Sequence, residues 1–466
     1  MKPQTKDAYK LVHDGILAFG RAERQGIRVD VEYCERKKTH LTRKIERTRK
    51  QLQGTKLIKL WKKIYGAKLN VGSNHQLSYI LYKIMKIEPL KSTAGGKQGA
   101  TDEESLSELD IPELSKILEI RKLMKVRDTY LDGFLREQVD GIMHPFANLH
   151  LARTYRSSMA APNFQNIPAR DKYAMKTCRQ ALYTRPDHHW LAVDYSGVEV
   201  FMACCYTEDQ RLIHDAVHGD MHKDMAIELY MLDSLDKDHP GEKNLRQGGK
   251  NGFVFPQFYG DYYGKCAPNL LRWAKIGELK DGTPALVHLS DKGLVKLNKK
   301  GKVINSDKFL KHVQNVEDDF WNVRYKTYTK WKDSWWKKYQ KRGYIDLFTG
   351  FRCQDVMDKK QCCNTPFQGS AFHCLLWSFI RIDQIAYEEE EWDSKPIGQI
   401  HDEISIDTHP DELEHVAETV QRVSCTELPK EWDWINVPLS VDADLCEVNA
   451  SWATKKPYKL PEVEET

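Results

Sequence analysis

Residues 190–199 read WLAVDYSGVE, an apolar run that ends at Asp194 and passes into residues that suit a helix. Residues 397–407 read IGQIHDEISID, which predicts two short strands that meet at Asp402. A carboxylate at a buried strand end costs several kcal/mol unless it meets a cation, so two such positions predict a shared metal centre. Either aspartate alone would be explained more simply as a turn residue or a helix cap.

Two cations, Arg246 and Lys250, stand between these segments at a spacing of one helical turn. Residues four apart lie on one face of a helix, and paired cations beside a metal site suit the negative charge of a triphosphate. An exposed basic helix would have the same spacing, and Gly248 and Gly249 disfavour a regular helix here. The pair is therefore informative only together with the aspartates.

Length and composition describe a soluble protein of several lobes. The chain has 466 residues, 41% of them hydrophobic and 30% charged, with a net charge of +4. No apolar run approaches the ~20 residues that span a bilayer, and no signal peptide is evident, which predicts no membrane association and a cytoplasmic location. The eleven cysteines are scattered without a Cys-x-x-Cys, which predicts buried thiols rather than a zinc site or disulfides.

Local composition predicts two surface features. Residues 36–63 contain twelve Lys or Arg and one acidic residue, Glu46, among apolar residues at helical spacing. Such a face can follow a phosphate backbone, although a solvated helical face has the same composition. Residues 279–306 alternate around Asn298-Lys299-Lys300-Gly301, which predicts a surface hairpin.

Three ordered motifs resemble those of family A DNA polymerases, the type of bacterial polymerase I and of bacteriophage replicases. They are Asp194-Tyr195-Ser196-x-Val198-Glu199, Arg246-x3-Lys250 with Tyr259-Gly260, and Gln399-Ile400-His401-Asp402-Glu403. Further matches keep the same order: TYRxS at 154–158, PNFQNIP at 162–168, GDMH at 219–222 and NxxxQG at 364–369. The resemblance extends over about residues 7–450.

The resemblance implies an α+β, right-hand polymerase fold with an antiparallel palm sheet, a helical thumb and helical fingers. It divides the chain into an N-terminal palm-associated segment (1–35), the thumb (36–145), the first part of the palm (146–222), the fingers (223–375) and the second part of the palm (376–466). The implied reaction is DNA-directed addition of deoxynucleoside triphosphates to a primer 3′-hydroxyl by two-metal-ion phosphoryl transfer.

The resemblance also assigns roles at the metal centre. Asp194, Asp402 and the Tyr195 carbonyl would hold two Mg²⁺ ions, for which Mn²⁺ could substitute. The neighbouring Glu403 would support them. Lys250 would contact the triphosphate and donate a proton to the leaving pyrophosphate.

Five further residues would bind the incoming nucleotide. Arg246 and His222 would contact its triphosphate, and Tyr259 would stack on its base. Phe255 would lie beneath the sugar and set how strongly nucleotides without a 3′-hydroxyl are rejected. Glu199 would pack against the ribose 2′ position, where a side chain clashes with a hydroxyl but not with a hydrogen.

Primer-template DNA is the implied macromolecular partner. The side chains expected to line its minor groove are Arg156, Asn163, Gln165, Asn364, Gln368, Gln399 and His401. Every Watson–Crick pair presents acceptors in that groove, so donors there can test the shape of a pair without preferring a sequence. The family-like region starts within ten residues of Met1, so we expect no intrinsic 3′→5′ exonuclease domain. Any proofreading would come from a separate exonuclease or accessory replication protein, or else this chain is a fragment.

The second motif departs from the family pattern by one additional residue before Tyr259. Pro256 also lacks an amide donor within the expected helix. A π-bulge or kink near Gly252 would absorb the extra residue. Counting back four residues from Tyr259 places Phe255 beneath the sugar, whereas counting forward four from Lys250 places Val254 there. We favour Phe255.

Two other functions fit parts of the pattern. A single-subunit RNA polymerase has a related palm, but Glu199 and the segment 165–168 argue against it. A DNA-binding protein that kept the fold and lost activity would not need both aspartates and both cations. The resemblance places the chain in a bacterium or in a host infected by a bacteriophage.

Overall fold

The computed structural model describes residues 3–93, 96, 98–169 and 171–461. The first two residues of the expected N-terminal segment and the last five of the expected palm therefore lie outside the described residues. An amphipathic helix, α1 (Thr5–Gln25), opens the chain and is followed by strand β1 (Ile27–Val29), as their sequence predicts. Gly26 joins them with a φ of 71°, a conformation that glycine adopts without strain.

Helices of very different length form the N-terminal helical lobe. They are α2 (Val31–Leu52), α3 (Lys56–Tyr65), α4 (Asn74–Ser78), α5 (Glu103–Ser107), α6 (Pro112–Met124) and α7 (Asp132–Glu137). The side chains of Asp30, Ser73 and Asp102 accept hydrogen bonds from backbone amides and so cap three of these helices. Helix α2 buries Leu41 and Ile45 and leaves most of its basic residues at the surface.

The next segment supplies the central strand of the molecule. Strand β2 (Ile142–Met143), β3 (Phe146–Asn148), β4 (Ser158–Ala160), helix α8 (Lys172–Arg179) and β5 (Leu182–Tyr183) lead to β6 (His189–Tyr195). Helices α9 (Val198–Thr207), α10 (Gln210–Val217) and α11 (Met221–Tyr230) follow. Strands β2, β1 and β5 form a small antiparallel sheet of their own.

A central helical lobe follows. Its helices are α12 (Pro240–Gly248), α13 (Phe255–Phe258), α14 (Tyr263–Ile276), α15 (Ala285–Asp291), α16 (Asp307–Asp319), α17 (Lys326–Arg342) and α18 (Lys359–Gln384). Two hairpins interrupt it, β7 (Lys296–Leu297) with β8 (Val303–Asn305), and β9 (Ile345–Asp346) with β10 (Arg352–Cys353). The first of these confirms the predicted surface hairpin.

The chain then returns to the sheet. Its last elements are β11 (Lys395–Ile400), β12 (Glu403–Thr408), α19 (Leu413–Arg422), α20 (Leu428–Glu431), β13 (Val441–Cys446) and β14 (Lys456–Tyr458). The main sheet has the order β11-β12-β6-β13-β14, with antiparallel neighbours throughout. Within the described residues, no helix combines the length and the apolar character that crossing a membrane requires.

Burial on both faces explains why β6 is apolar along most of its length. Trp190 and Ala192 belong to the core shared with the N-terminal helical lobe. Leu191 and Val193 belong to the core shared with the central helical lobe. Successive side chains of a strand point to opposite faces, so a strand covered on both faces must be apolar at every position.

Candidate active site

The two aspartates lie at adjoining strand ends. Strand β12 pairs with β6 so that Glu403 is opposite Asp194, and the Tyr195 amide donates to the Asp402 carbonyl at 3.1 Å. The turn between β11 and β12 contains His401 with a φ of 56°, a left-handed conformation that few side chains adopt. Strand pairing and this tight turn thus bring together two carboxylates that are 208 positions apart in sequence.

A pocket of about 500 Å³ opens beside both aspartates. Eleven of the predicted site residues line it: Arg156, Gln165, Asp194, Tyr195, Glu199, Lys250, Phe255, Tyr259, Gln399, His401 and Asp402. The Tyr195 ring is buried, and its hydroxyl is 2.8 Å from the Ser378 hydroxyl, so Tyr195 meets the pocket through its backbone. The six other predicted residues do not line this pocket.

The carboxylates are poorly stabilised by the protein alone. The Asp194 side chain opens onto the pocket, yet the surrounding protein withdraws it from water and raises its pKa to about 7; the charges of Asp402 and Glu403 act in the same direction. Burial also raises the pKa of Asp402. Two such carboxylates and a backbone carbonyl form an all-oxygen donor set, which fits a hard divalent cation.

Lys455 is a neighbour of the site that the sequence does not reveal. Its ammonium group is 2.6 Å from Glu403 and 3.1 Å from Asp444. Burial opposes the charge of Lys455, but these two carboxylates outweigh it and raise the lysine pKa. Pairing of β13 with β14 brings Lys455 to the edge of the sheet. In the sequence it is one of two adjacent lysines, and nothing nearby indicates that it contacts Glu403.

Replacing Lys455 with Met should lower the free energy of unfolding by about 2 kcal/mol. This figure lies between the cost of breaking an exposed ion pair and the cost of breaking a fully buried one. The loss would come from leaving the Glu403 carboxylate half-buried without its cation. Urea denaturation would measure it, with Lys456→Met as the matched control because Lys456 is exposed. Equal stability of the two variants would show that the buried ion pair contributes nothing.

The second motif forms a helix with a π-bulge, as its extra residue predicts. Helix α12 ends at Gly248, residues Gly249–Val254 are π-helical, and α13 begins at Phe255. Pro256 follows the π-helical residues directly, so the bulge lies where the proline lacks its amide donor. The prediction of a π-bulge near Gly252 is therefore confirmed.

Close packing explains the two glycines that disfavoured a regular helix. A Cβ on Gly249 would lie 2.5 Å from the His222 carbonyl oxygen, and one on Gly248 would lie 2.3 Å from the Tyr230 hydroxyl. Both distances are too short for any other residue type. The glycines thus let α12 approach α11, which carries His222 beside the pocket.

The bulge brings Phe255 and Tyr259 to the pocket. Both line it, whereas Val254 is fully buried and Phe258 packs against aromatic rings of the central helical lobe. The Lys250 ammonium group is 5.2 Å from the centroid of the Phe255 ring, within the range of a cation–π contact. The fold therefore adopts the register that places Phe255, rather than Val254, at the pocket.

Arg246 and His222 do not line the pocket, although the centroid of the His222 ring is 5.5 Å from that of Phe255, which does. Two hydrogen bonds of 2.8 and 3.0 Å hold the Arg246 guanidinium against Asp220. Burial first, and then the charges of Lys250 and Arg246, lower the pKa of His222 to about 4, so its imidazole is neutral near pH 7. The buried Nδ1 of His222 has no hydrogen-bond partner among the described residues, and a polar ligand at this place would satisfy it.

Glu199 joins the sheet side of the pocket to the central helical lobe. Its carboxylate accepts hydrogen bonds from the Arg156 guanidinium and from the Tyr259 hydroxyl. Glu199 lies in the first turn of α9, where the helix dipole favours a negative charge. The three side chains thus form one network across the pocket.

The other residues predicted to contact DNA divide between the pocket and its margins. Gln165 donates to the Gln399 side chain at 3.0 Å within the pocket. Asn364 and Gln368 line a small recess that adjoins it. Asn163 lies apart, in a cavity of about 320 Å³ beside the N-terminal helical lobe.

Curated relatives resemble most of this chain. DNA polymerase I of Lactococcus lactis subsp. cremoris (strain MG1363) is 27% identical over 405 residues, which are 83% of this chain. DNA polymerase I of Geobacillus stearothermophilus is 25% identical over 438 residues, or 92% of this chain. The matched parts are 40% and 44% of these relatives, so the chain spans less than half of their length.

A solved structure has the same fold. It is the POL domain of Pol1 from M. smegmatis in complex with DNA primer-template and dNTP, with a TM-score of 0.73 and 20% identity over 94% of this chain and 70% of that one. This likeness confirms the expected right-hand fold. The model of DNA polymerase family A matches residues 35–270 and 307–454, well over half of the sequence. The chain therefore belongs to DNA polymerase family A.

Proposed function

We propose that this chain is a DNA-directed DNA polymerase that adds deoxynucleoside triphosphates to the 3′-hydroxyl of a primer paired with a DNA template. The observation that carries the proposal is the shared pocket, in which Asp194 and Asp402 face Lys250 and Tyr259. The carboxylates suit the binding of metal ions that assist phosphoryl transfer. The positive charge of the lysine suits the negative charge of the departing pyrophosphate.

Primer extension by the purified chain tests the proposal. With a labelled primer on a DNA template and Mg²⁺, we expect extension with deoxynucleotides and little with ribonucleotides. Preferential use of ribonucleotides would instead identify an RNA polymerase. Binding of the primer-template without extension by either substrate would identify a DNA-binding protein that has lost activity.

Divalent metal ions are the general cofactors of family A DNA polymerases, and we propose two Mg²⁺ ions here, with Mn²⁺ as a substitute. Asp194, Asp402 and the Tyr195 carbonyl would hold them. When bound, such ions lower the pKa of the primer hydroxyl and offset charge at the phosphorus and the leaving oxygen. Glu403 acts at a distance, because its carboxylate is already bound to Lys455.

Three residues beside the π-bulge and on α11 are proposed to receive the triphosphate. Lys250 lines the pocket, and in this proposal it donates a proton as pyrophosphate leaves. Arg246 is bound to Asp220 through Nε and Nη2, and the remaining N–H donors of the guanidinium would contact a phosphate in this proposal. His222 stays neutral near pH 7 and can offer a hydrogen bond rather than a charge.

Glu199 is proposed to exclude ribonucleotides. The side chain lines the pocket and is fixed by Arg156 and Tyr259, so it cannot easily withdraw from a 2′-hydroxyl. Tyr259 stacks on the incoming base in this proposal, which makes the network a link between base and sugar recognition.

Replacing Glu199 with Ala should raise the ratio of ribonucleotide to deoxynucleotide incorporation by roughly tenfold, as expected when a steric contact is lost. Glu199→Gln is the matched control, because it keeps the bulk of the side chain and removes its charge. We expect Glu199→Gln to keep the exclusion and to slow deoxynucleotide addition. Single-nucleotide incorporation rates would decide, and an unchanged ratio in Glu199→Ala would remove Glu199 from this role.

Primer-template DNA is the proposed partner, contacted in its minor groove by Arg156, Asn163, Gln165, Asn364, Gln368, Gln399 and His401. The boundaries 1–35, 36–145, 146–222, 223–375 and 376–466 are proposed for the N-terminal segment, thumb, first palm part, fingers and second palm part. A separate proofreading exonuclease or accessory replication protein, a bacteriophage origin and a cytoplasmic location stay predictions.

A further inference from the structure

A preformed hairpin stands in the segment 271–306, which the family match leaves out. The Asn298 side chain accepts hydrogen bonds from the amides of Lys300 and Lys302, each at 2.9 Å, and Gly301 closes the turn with a φ of 72°. Leu297 and Val303, on one face of the hairpin, pack against the core shared with the central helical lobe. The turn is therefore fixed by its own hydrogen bonds and anchored by its apolar face.

The other side of this hairpin carries positive charge only. Residues 292–306 contain five lysines and no acidic residue, and the nearest carboxylates flank the segment at Asp291 and Asp307. The lysines are Lys292, Lys296, Lys299, Lys300 and Lys302, all of them exposed. None of the five forms an ion pair with any residue that the structure describes. The hairpin backbone beneath these charges is already ordered, so binding of a polyanion need not order the loop.

The segment that carries the hairpin is attached to the helix of the second motif. The Asn244 side chain donates to the Ile276 carbonyl at 3.0 Å, and the Ala285 amide donates to the Gly277 carbonyl at 3.0 Å. Helix α12, which contains Asn244, also carries Arg246 and leads to Lys250 at the pocket. The hairpin thus belongs to the same lobe as Arg246 and Lys250.

We propose that the hairpin at residues 296–305 is a nucleic-acid contact that binds the phosphate backbone of DNA outside the catalytic pocket. The proposal rests on the proposed polymerase function, which brings DNA to this lobe. A phosphate backbone matches an exposed row of lysines without any sequence preference. Two sources share this chemistry, the single-stranded template ahead of the pocket and duplex DNA.

Salt dependence of DNA binding tests the contact in the full chain. Fluorescence anisotropy would follow the binding of a labelled primer-template, either with a long template overhang or as a blunt duplex. The variant is Lys299→Gln with Lys300→Gln at the hairpin tip. Its matched control is Lys6→Gln with Lys430→Gln, which removes two exposed lysines elsewhere. Thermal denaturation of each variant would confirm an intact fold.

Loss of two phosphate contacts should make the slope of log K against log salt shallower by about 1.8 for duplex DNA or about 1.4 for a single strand. Between about 50 and 200 mM salt, the unmodified chain would then lose roughly tenfold more affinity than the variant. A shallower slope with the overhang substrate alone would assign the contact to the single-stranded template. A shallower slope with both substrates would assign it to duplex DNA.

Identical slopes for the hairpin variant and the control would overturn the proposal. Unchanged DNA binding combined with lost binding to a polyglutamate peptide would also overturn it, and would assign the hairpin to an acidic protein segment. Anisotropy needs no catalysis, so the outcome is separate from the proposed activity. If the chain never extends a primer but the slopes differ, the proposed polymerase activity would be refuted and the proposed DNA contact would be supported.

Discussion

Asp194→Asn and Asp402→Asn are each expected to lower the rate of deoxynucleotide incorporation by at least about a thousandfold, equivalent to about 4 kcal/mol of transition-state stabilisation. Asparagine keeps the shape of each side chain and removes the charge that a divalent cation requires. Affinity for the primer-template should stay within about threefold of the unmodified chain, because removing a carboxylate adds no phosphate contact and relieves repulsion between charges.

Asp442→Asn is the matched control for both variants. Asp442 pairs with Asp194 across β13 and accepts a hydrogen bond of 2.6 Å from the Ser196 hydroxyl, but it is not part of the pocket wall. Rapid-quench measurement of a single incorporation, with saturating DNA, would separate chemistry from binding. Rates in either pocket variant that match the Asp442→Asn rate would refute the assignment of the two carboxylates.

Phe255→Tyr should relax discrimination against dideoxynucleotides by up to about a hundredfold, the range of a hydrogen bond to a charged group. A nucleotide without a 3′-hydroxyl loses a hydrogen bond that the normal substrate makes, and a tyrosine hydroxyl at this place can replace it. Phe255 lines the pocket beside Lys250, so in the proposed binding mode an added hydroxyl would lie near the sugar and phosphates of the nucleotide.

Phe258→Tyr makes the same chemical change three residues later, on a ring that packs inside the central helical lobe. Chain-termination assays with mixed deoxynucleotides and dideoxynucleotides would compare both variants with the unmodified chain. We expect relaxation in Phe255→Tyr only. Relaxation in Phe258→Tyr alone would mean that the helix register changes when nucleotide binds.

Local sequence patterns were sufficient to predict several features because their causes are local. The strand ending near Asp194 follows from a short apolar run, and the π-bulge near Gly252 follows from one extra residue between fixed anchors. The hairpin at Asn298 follows from a turn sequence whose side-chain hydrogen bonds close the loop themselves. The resemblance to a known family supplied the rest of the fold.

Contacts between distant segments could not be predicted in this way. Lys455 binds Glu403 only because β14 pairs with β13, and Arg246 binds Asp220 only because α12 packs on α11. An ion pair of 2.5 Å between Arg272 and Glu104 joins the central and N-terminal helical lobes, which neither local sequence indicates. A charged side chain has many sequence-compatible partners, and tertiary packing selects among them.

The most direct measurement offers the purified chain each deoxynucleotide separately, with Mg²⁺, against each of the four template bases. The account predicts extension of the primer by the complementary nucleotide in all four cases, and none when both Asp194 and Asp402 are replaced by Asn. Extension that ignores the template base, or that survives the double replacement, would contradict a template-directed polymerase at this pocket.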